Sequence, residues 1–258
     1  MPGCLARPTR GTGRARGVPQ ARDCRTARRR VPARTGPSLL GQRTAKPAGL
    51  DRGRVNRPPF EHQECLQPLI PEIDAALDRF DVAATLLVQG DVPAAEQQIR
   101  AIEGDAVLRD FWRLKDERGH ELRRELGARP AGGNRRAVPR RLSRAVFERD
   151  GWHCRYCGIR AVDPDALKKL VGLLPNTTLW ARTDKERHAA LLITRAVADH
   201  VEPQFLGGAE DLENLVCCCY ACNFGKMGWT CEELCIADPR GRPPQEDRWD
   251  GLRRVLAI

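Results

Sequence analysis

The stretch from Asp199 to Lys226, DHVEPQFLGGAEDLENLVCCCYACNFGK, gathers side chains able to do chemistry. It holds an Asp-His pair, a Gly-Gly turn, an isolated Asn, and a Cys-x-x-Cys (Cys219, Cys222) that runs straight into Asn223 and Lys226. A second Cys-x-x-Cys, Cys154 and Cys157, lies upstream. Two such pairs offer four thiolates, the donor set of a closed tetrahedral Zn²⁺ site that holds structure in place. The interval between the pairs, residues 158–218, is longer than ordinary ribbon spacing. His153 adjoins one ligand and could substitute for it, but four well-spaced thiols leave little need for it. Cys217, Cys218, Cys231 and Cys235 could bind a second ion or serve as small buried hydrophobes. Eleven cysteines grouped in such pairs, with no secretory signal pattern, point to metal thiolates in a reducing compartment and hence a cytoplasmic protein.

Around these residues the pattern predicts a small α+β module. RLSRAVFERDGWHCRYCG reads as a helix packed through Leu142, Val146 and Phe147, a turn at Asp150-Gly151, and a knuckle bearing the first cysteine pair. Residues 159–190 read as an insertion, with a short apolar helix from Ala166 to Leu174. Thr183 and Glu186 have capping-box spacing, which predicts a helix from Asp184 with His188 on its surface. Leu191 to Val197 reads as a strand leading into Asp199. Thr230 and Glu233 repeat the capping-box spacing ahead of Cys231 and Cys235.

The rest of the chain divides by composition. Residues 1–58 hold 15 of the 44 Lys and Arg but 2 of the 34 Asp and Glu, so the remaining 200 residues carry 29 basic against 32 acidic groups. The net charge of +10 therefore belongs to this tail and says little about the folded part. Its Arg, Pro, Gly and Thr cannot bury enough apolar surface to order it, so disorder is expected. It could grip phosphate, or be an extension without function. Residues 60–127 show helical stripes: Leu66, Leu69, Ile70, Ile73, Ala76, Leu77 and Phe80; then Ala94, Ala95, Ile99 and Ile102; then Val107, Leu108, Phe111, Trp112 and Leu114, running on to Leu122 and Leu126. Pro71 should start or kink the first helix, and Gly90-Asp91 marks a turn. This bundle shows no active-site pattern, with His62 and His120 read as surface residues, and could dimerise, dock a partner or position DNA. Residues 128–139 read as a linker and 238–258 as a C-terminal extension. Arg135, Arg136, Arg140, Arg141, Arg144 and Arg149 cluster before the knuckle, either as a phosphate contact or as a solvated helix face. No apolar run reaches the roughly 18 residues of a membrane helix, so no membrane partner is expected.

Taken together, Arg149-Asp150-Gly151, Cys154-x-x-Cys157-Gly158, Asp199-His200-Val201-x-Pro203, Gly207-Gly208, Asn214-Leu215, Cys219-x-x-Cys222-Asn223 and Lys226 resemble the HNH endonucleases, ββα-metal nucleases in their zinc-binding Cys₄ form. The resemblance covers about residues 140–230, within a module bounded at 140–237. It implies hydrolysis of DNA phosphodiesters, with His200 as general base, Asp199 and Asn223 as ligands of Mg²⁺ or Mn²⁺, and Asn214 holding the His200 loop. Cys154, Cys157, Cys219 and Cys222 would hold structural zinc. Arg140, Arg141, Arg144 and Lys226 would meet phosphate. Asn223 stands where the family more often has His, and the long insertion is unusual. The alternative is a non-catalytic zinc module that binds nucleic acid or protein.

Overall fold

The computed structural model describes residues 65–102, 104–127, 137–177, 179 and 181–258. The basic tail, His62, Arg135 and Arg136 lie outside these residues. The fold is α+β: eight α-helices among the described residues surround one two-stranded sheet.

Three helices come first: α1 (Pro71–Val88), α2 (Val92–Arg100) and α3 (Asp105–Leu126). Pro71 starts α1 without a kink, because a first-turn N–H is unpaired in any helix and Pro lacks only that. Ile73, Ala76, Leu77, Phe80, Ala83, Ala84 and Leu87 form its buried stripe. Leu69 is exposed and residues 65–70 are not helical, so the expected stripe begins later than read. The Asp91 side chain caps α2, accepting from the Ala94 N–H at 3.0 Å. On α3 the buried positions among the described side chains are Leu108, Phe111 and Lys115, while Val107 and Leu114, read into that stripe, are exposed; Leu122 and Leu126 lie outside the described side chains.

The module that follows opens with α4 (Arg140–Arg149), the knuckle, and α5 (Pro164–Leu173), which Asp163 caps. Two expectations fail next. No helix starts at Asp184; residues 184–186 form a turn, tied by Arg187, whose Nη1 pairs with Asp184 at 2.6 Å and whose Nε donates to the Ala181 carbonyl at 2.9 Å. Leu191 to Thr194 is not strand but the end of α6 (Ala189–Thr194). Every residue of α6 is buried, so neither period showed in the sequence. His188, expected on a helix surface, instead caps α6 through Nδ1, which accepts from the Ala190 N–H at 3.3 Å.

Strand β1 (Ala196–His200) pairs antiparallel with β2 (Leu215–Cys219), from Ala196 opposite Cys219 to His200 opposite Leu215. The pairing with β2 ends at Ala196; before it, Arg195 makes only a single parallel bridge to Val162, with the Val162 N–H donating to the Thr194 carbonyl at 2.9 Å and the Ala196 N–H to the Val162 carbonyl at 2.8 Å. The chain passes from β2 directly into α7 (Tyr220–Lys226), then α8 (Cys231–Leu234), whose Thr230–Glu233 capping box is present. The C-terminal residues fold back: Trp249 Nε1 donates to the Ala161 carbonyl at 2.9 Å, and Leu252 and Val255 are buried. Helix α3 packs on α6 and α7, so the first three helices share one hydrophobic core with the cysteine module. Gly225 of α7 makes this contact close: a Cβ there would meet Leu66 Cδ1 at 3.1 Å and Lys115 Cδ at 3.3 Å. No helix among the described residues is long and apolar enough to cross a membrane.

Candidate metal centre and adjoining cleft

The two cysteine pairs reach the same point by different local structures. At the knuckle, the Cys154 N–H donates to the Ile159 carbonyl at 2.8 Å and the Gly158 N–H to the Cys154 carbonyl at 2.7 Å, which curls Cys154 and Cys157 toward one side. At the other pair, Cys219 ends β2 and caps α7, its sulfur accepting from the Cys222 N–H at 3.4 Å. The four sulfurs of Cys154, Cys157, Cys219 and Cys222 all lie within 4.8 Å of one another and all four residues are buried. A tetrahedral zinc with ~2.3 Å bonds to sulfur sets its sulfurs about 3.8 Å apart, and Cys157 Sγ and Cys219 Sγ are 3.8 Å apart. These residues fit a bound Zn²⁺.

Two groups that the sequence reading passed over support the centre. Lys115 of α3 is buried with Nζ 3.9 Å from Cys222 Sγ. Burial opposes its charge, yet the neighbouring cysteines Cys222, Cys219 and Cys157 outweigh this and hold its pKa above the ordinary lysine value. A signal was present: Leu108, Phe111 and Lys115 recur at spacings of three and four, which puts the lysine on the buried face. Asp150, read as a turn residue and as part of the Arg149-Asp150-Gly151 motif, is fully buried and ties the knuckle to β2. It accepts from Arg149 Nε at 2.8 Å, from Arg155 Nη1 at 2.6 Å and from the Cys217 N–H at 2.7 Å. Arg149 also donates to the Leu215 carbonyl at 2.7 Å. Its guanidinium, about a third exposed, is thus engaged by Asp150 and the Leu215 carbonyl. His153 is not with the sulfurs; its Nδ1 lies 2.7 Å from the Gly151 carbonyl and its Nε2 3.2 Å from Asp247. Cys217, Cys218, Cys231 and Cys235 are buried outside the four-sulfur group, and burial pushes the Cys231 thiol up to about 12.

The hairpin and α7 also border a cleft of ≈ 1080 Å³, lined by Asp199, His200 and Asn223 together with Arg140, Arg144 and Arg195. Asp199 is buried at the end of β1. Its Oδ2 accepts from the Tyr156 hydroxyl at 2.7 Å and lies 3.2 Å from Lys226 Nζ. Burial, then Asp199, pushes the Tyr156 hydroxyl well above its ordinary pKa, so it stays a donor. Lys226 also donates to the His200 carbonyl at 2.8 Å. It is buried, with 1% of its surface exposed, so the expected contact with phosphate at Lys226 is corrected: its ammonium serves Asp199 and the backbone.

No hydrogen bond among the described residues claims the His200 ring, whose Nε2 is buried without a partner. Burial lowers its pKa, only partly offset by Asp199 and Glu210, which favours the neutral ring. Beyond it, Asn214 fastens the loop back on itself. Its Oδ1 accepts from the Glu202 N–H at 2.8 Å, and its Nδ2 donates to the Glu202 and Ala209 carbonyls, both at 2.9 Å. The loop closes so tightly that a Cβ on Gly208 would sit 1.9 Å from the Glu202 carbonyl oxygen, which explains the glycine there. Asn223, one turn into α7, is half-buried with no side-chain hydrogen bond among the described residues. Arg140 and Arg144 reach the cleft while paired with Asp165 and Glu148. Arg141 is exposed and does not line it. Compared with family models, curated proteins and solved structures, the chain matches none.

Proposed function

We propose that the chain is a metal-dependent endonuclease of the HNH type, hydrolysing DNA phosphodiesters at the cleft beside a structural Cys₄ zinc. The observation that carries this reading is the convergence of Asp199, His200 and Asn223 on one cleft, with the His200 ring uncommitted to any protein hydrogen bond. The Asp199 carboxylate and the Asn223 amide oxygen are hard donors that would hold Mg²⁺ or Mn²⁺. Such an ion, when bound, stabilises charge on the phosphate and the leaving oxygen. The neutral His200 ring can take the proton of the attacking water, and a base with its pKa near working pH does so efficiently. Asn214 fixes the chain just past His200, which limits the drift of the ring. DNA would enter along the arginine side of the cleft.

A second reading, a non-catalytic zinc module, draws on one observation: Tyr156 and Lys226 already engage Asp199 Oδ2, and a divalent ion must share that carboxylate with an ammonium. The deciding experiment is plasmid cleavage by the purified chain with Mg²⁺ or Mn²⁺. The nuclease reading expects nicking or cutting that falls at least ~100-fold in His200→Ala, with zinc content unchanged. Absence of cleavage, with no second divalent ion detected by calorimetry, selects the non-catalytic module.

A further inference from the structure

Three of the arginines lining the cleft are matched with carboxylates: Arg140 with Asp165, Arg144 with Glu148, and Arg253 with Asp163 at 2.5 Å. Arg195 is the exception. Among the described residues it has no carboxylate partner and no side-chain hydrogen bond. Its guanidinium carbon instead lies 4.0 Å from the centre of the Tyr220 ring. Tyr220 in turn stacks on Trp112 of α3, with ring centroids 5.4 Å apart and planes 19° from parallel. Phe224 braces the same pair, 5.0 Å from Trp112.

This arrangement is built rather than incidental. The Tyr220 N–H donates to the Arg195 carbonyl at 2.8 Å, which fixes the arginine backbone to the first residue of α7. A guanidinium lying against a ring is held by its π face, and its N–H donors in the plane stay available. A planar fork of free donors matches two oxygens of a phosphate. Arg195 immediately precedes β1, whose far end bears Asp199 and His200, and Tyr220 is three residues before Asn223 on α7. The unpaired fork therefore sits at the start of the strand, and against the helix, that carry the proposed reacting residues.

We infer that Arg195, mounted on the Tyr220–Trp112 stack, is the phosphodiester-binding residue of the cleft and grips the backbone of a bound nucleic acid. This rests on the nuclease reading for the identity of the cleft, and names how the same cleft holds its substrate. An exposed surface arginine could exchange for lysine here without loss; a stacked, bidentate one cannot.

The test is binding of fluorescently labelled duplex and single-stranded oligonucleotides to the full chain, measured by anisotropy without added Mg²⁺ or Mn²⁺, at several salt concentrations. Arg195→Ala should weaken binding about tenfold and reduce the salt slope by about one. Arg195→Lys should recover little of this, and Tyr220→Leu should show an intermediate loss. Unchanged zinc content and melting temperature in each variant assign the losses to the side chain. Inorganic phosphate at matched ionic strength should not displace the oligonucleotide. Displacement by it would mark a phosphate-ion site and overturn the inference. So would wild-type affinity and salt slope in Arg195→Ala; if that protein's parent still cleaves plasmid, this inference falls alone and the nuclease reading stands. A parent chain that neither binds nor cleaves removes both.

Discussion

The cysteine centre, half of it on the knuckle, and the Asp199–His200–Asn223 cleft share the hairpin and α7, and they differ in how their donors are satisfied. At the centre, four like donors are buried together within 4.8 Å, and a neighbouring lysine supplies countercharge. One ion would close every valence and leave no position for a substrate, the arrangement of a structural site. At the cleft, the donors are unlike one another and incompletely used: a carboxylate shared with Tyr156 and Lys226, an imidazole with no partner, and an uncommitted amide. Unspent valence lining a cleft is where a substrate or a second ion can enter. On the proposed reading the closed site positions and the open site reacts, and each expected outcome below probes that division.

The largest effect should come from opening the closed site. Structural zinc supplies on the order of 10 kcal/mol in small modules. Cys222→Ser should therefore cost the bound zinc and lower Tm by more than about 10 °C, with cleft activity lost as a consequence. Zinc analysis and thermal melting check this. If Cys222→Ser keeps its fold and cleaves as before, the two sites are not mechanically linked and the division fails.

Lys115→Met should have a smaller effect whose sign is informative. If the four sulfurs are zinc-bound thiolates, removing the ammonium leaves their negative charge uncompensated in the core. Stability should then fall by about 3 kcal/mol, and zinc should pass faster to a chelating dye. If the sulfurs are neutral thiols, the buried ammonium is a liability, and methionine of similar length should stabilise the chain. Melting of the variant against the parent separates the two cases.

The sequence made the donors legible and hid much of what holds them. The cysteine pairs, the Asp-His pair, the Gly-Gly turn and Asn214 are local patterns with fixed spacing, and the structure groups the four cysteines as read. Lys115 and Asp150 were missed because their partners lie far along the chain: Lys115 to Cys222 spans 107 residues and Asp150 to the Cys217 amide spans 67. Lys226 shows the opposite error. A lysine after a ligand pair reads as a phosphate contact, and only tertiary packing reveals that it faces inward to Asp199. Helix α6 was mistaken for strand because complete burial erases the amphipathic period, and the short β2 limits where β1 can begin. Arg195 escaped notice because it stands apart from the run of arginines before the knuckle, and its standing depends on which arginines have carboxylate partners.

The smallest expected effect is on pH, and it belongs to the cleft alone. The groups acting on His200 are Asp199, Glu210 and Asp211, which raise its pKa, and Lys226, which lowers it; burial is the largest influence and the net shift is downward. A base with a lowered pKa keeps its lone pair into more acid solution. The acid limb of cleavage should therefore fall below the ordinary histidine value of about 6.5. The linkage has the matching sign: on acidification the unfolded chain takes up its proton first, so this histidine's contribution to stability declines as pH falls from about 6.5 toward the folded value. Removing Lys226's charge with Lys226→Met should raise the His200 pKa and move the acid limb upward. The same substitution frees Asp199 Oδ2 of its ammonium, which should tighten the divalent ion. The variant's Mg²⁺ dependence and pH profile thus shift together if Asp199 and His200 act as one site. If the profile moves while the ion dependence stays fixed, Asp199 is not the ligand, and its carboxylate serves only to hold Tyr156 and Lys226 in place.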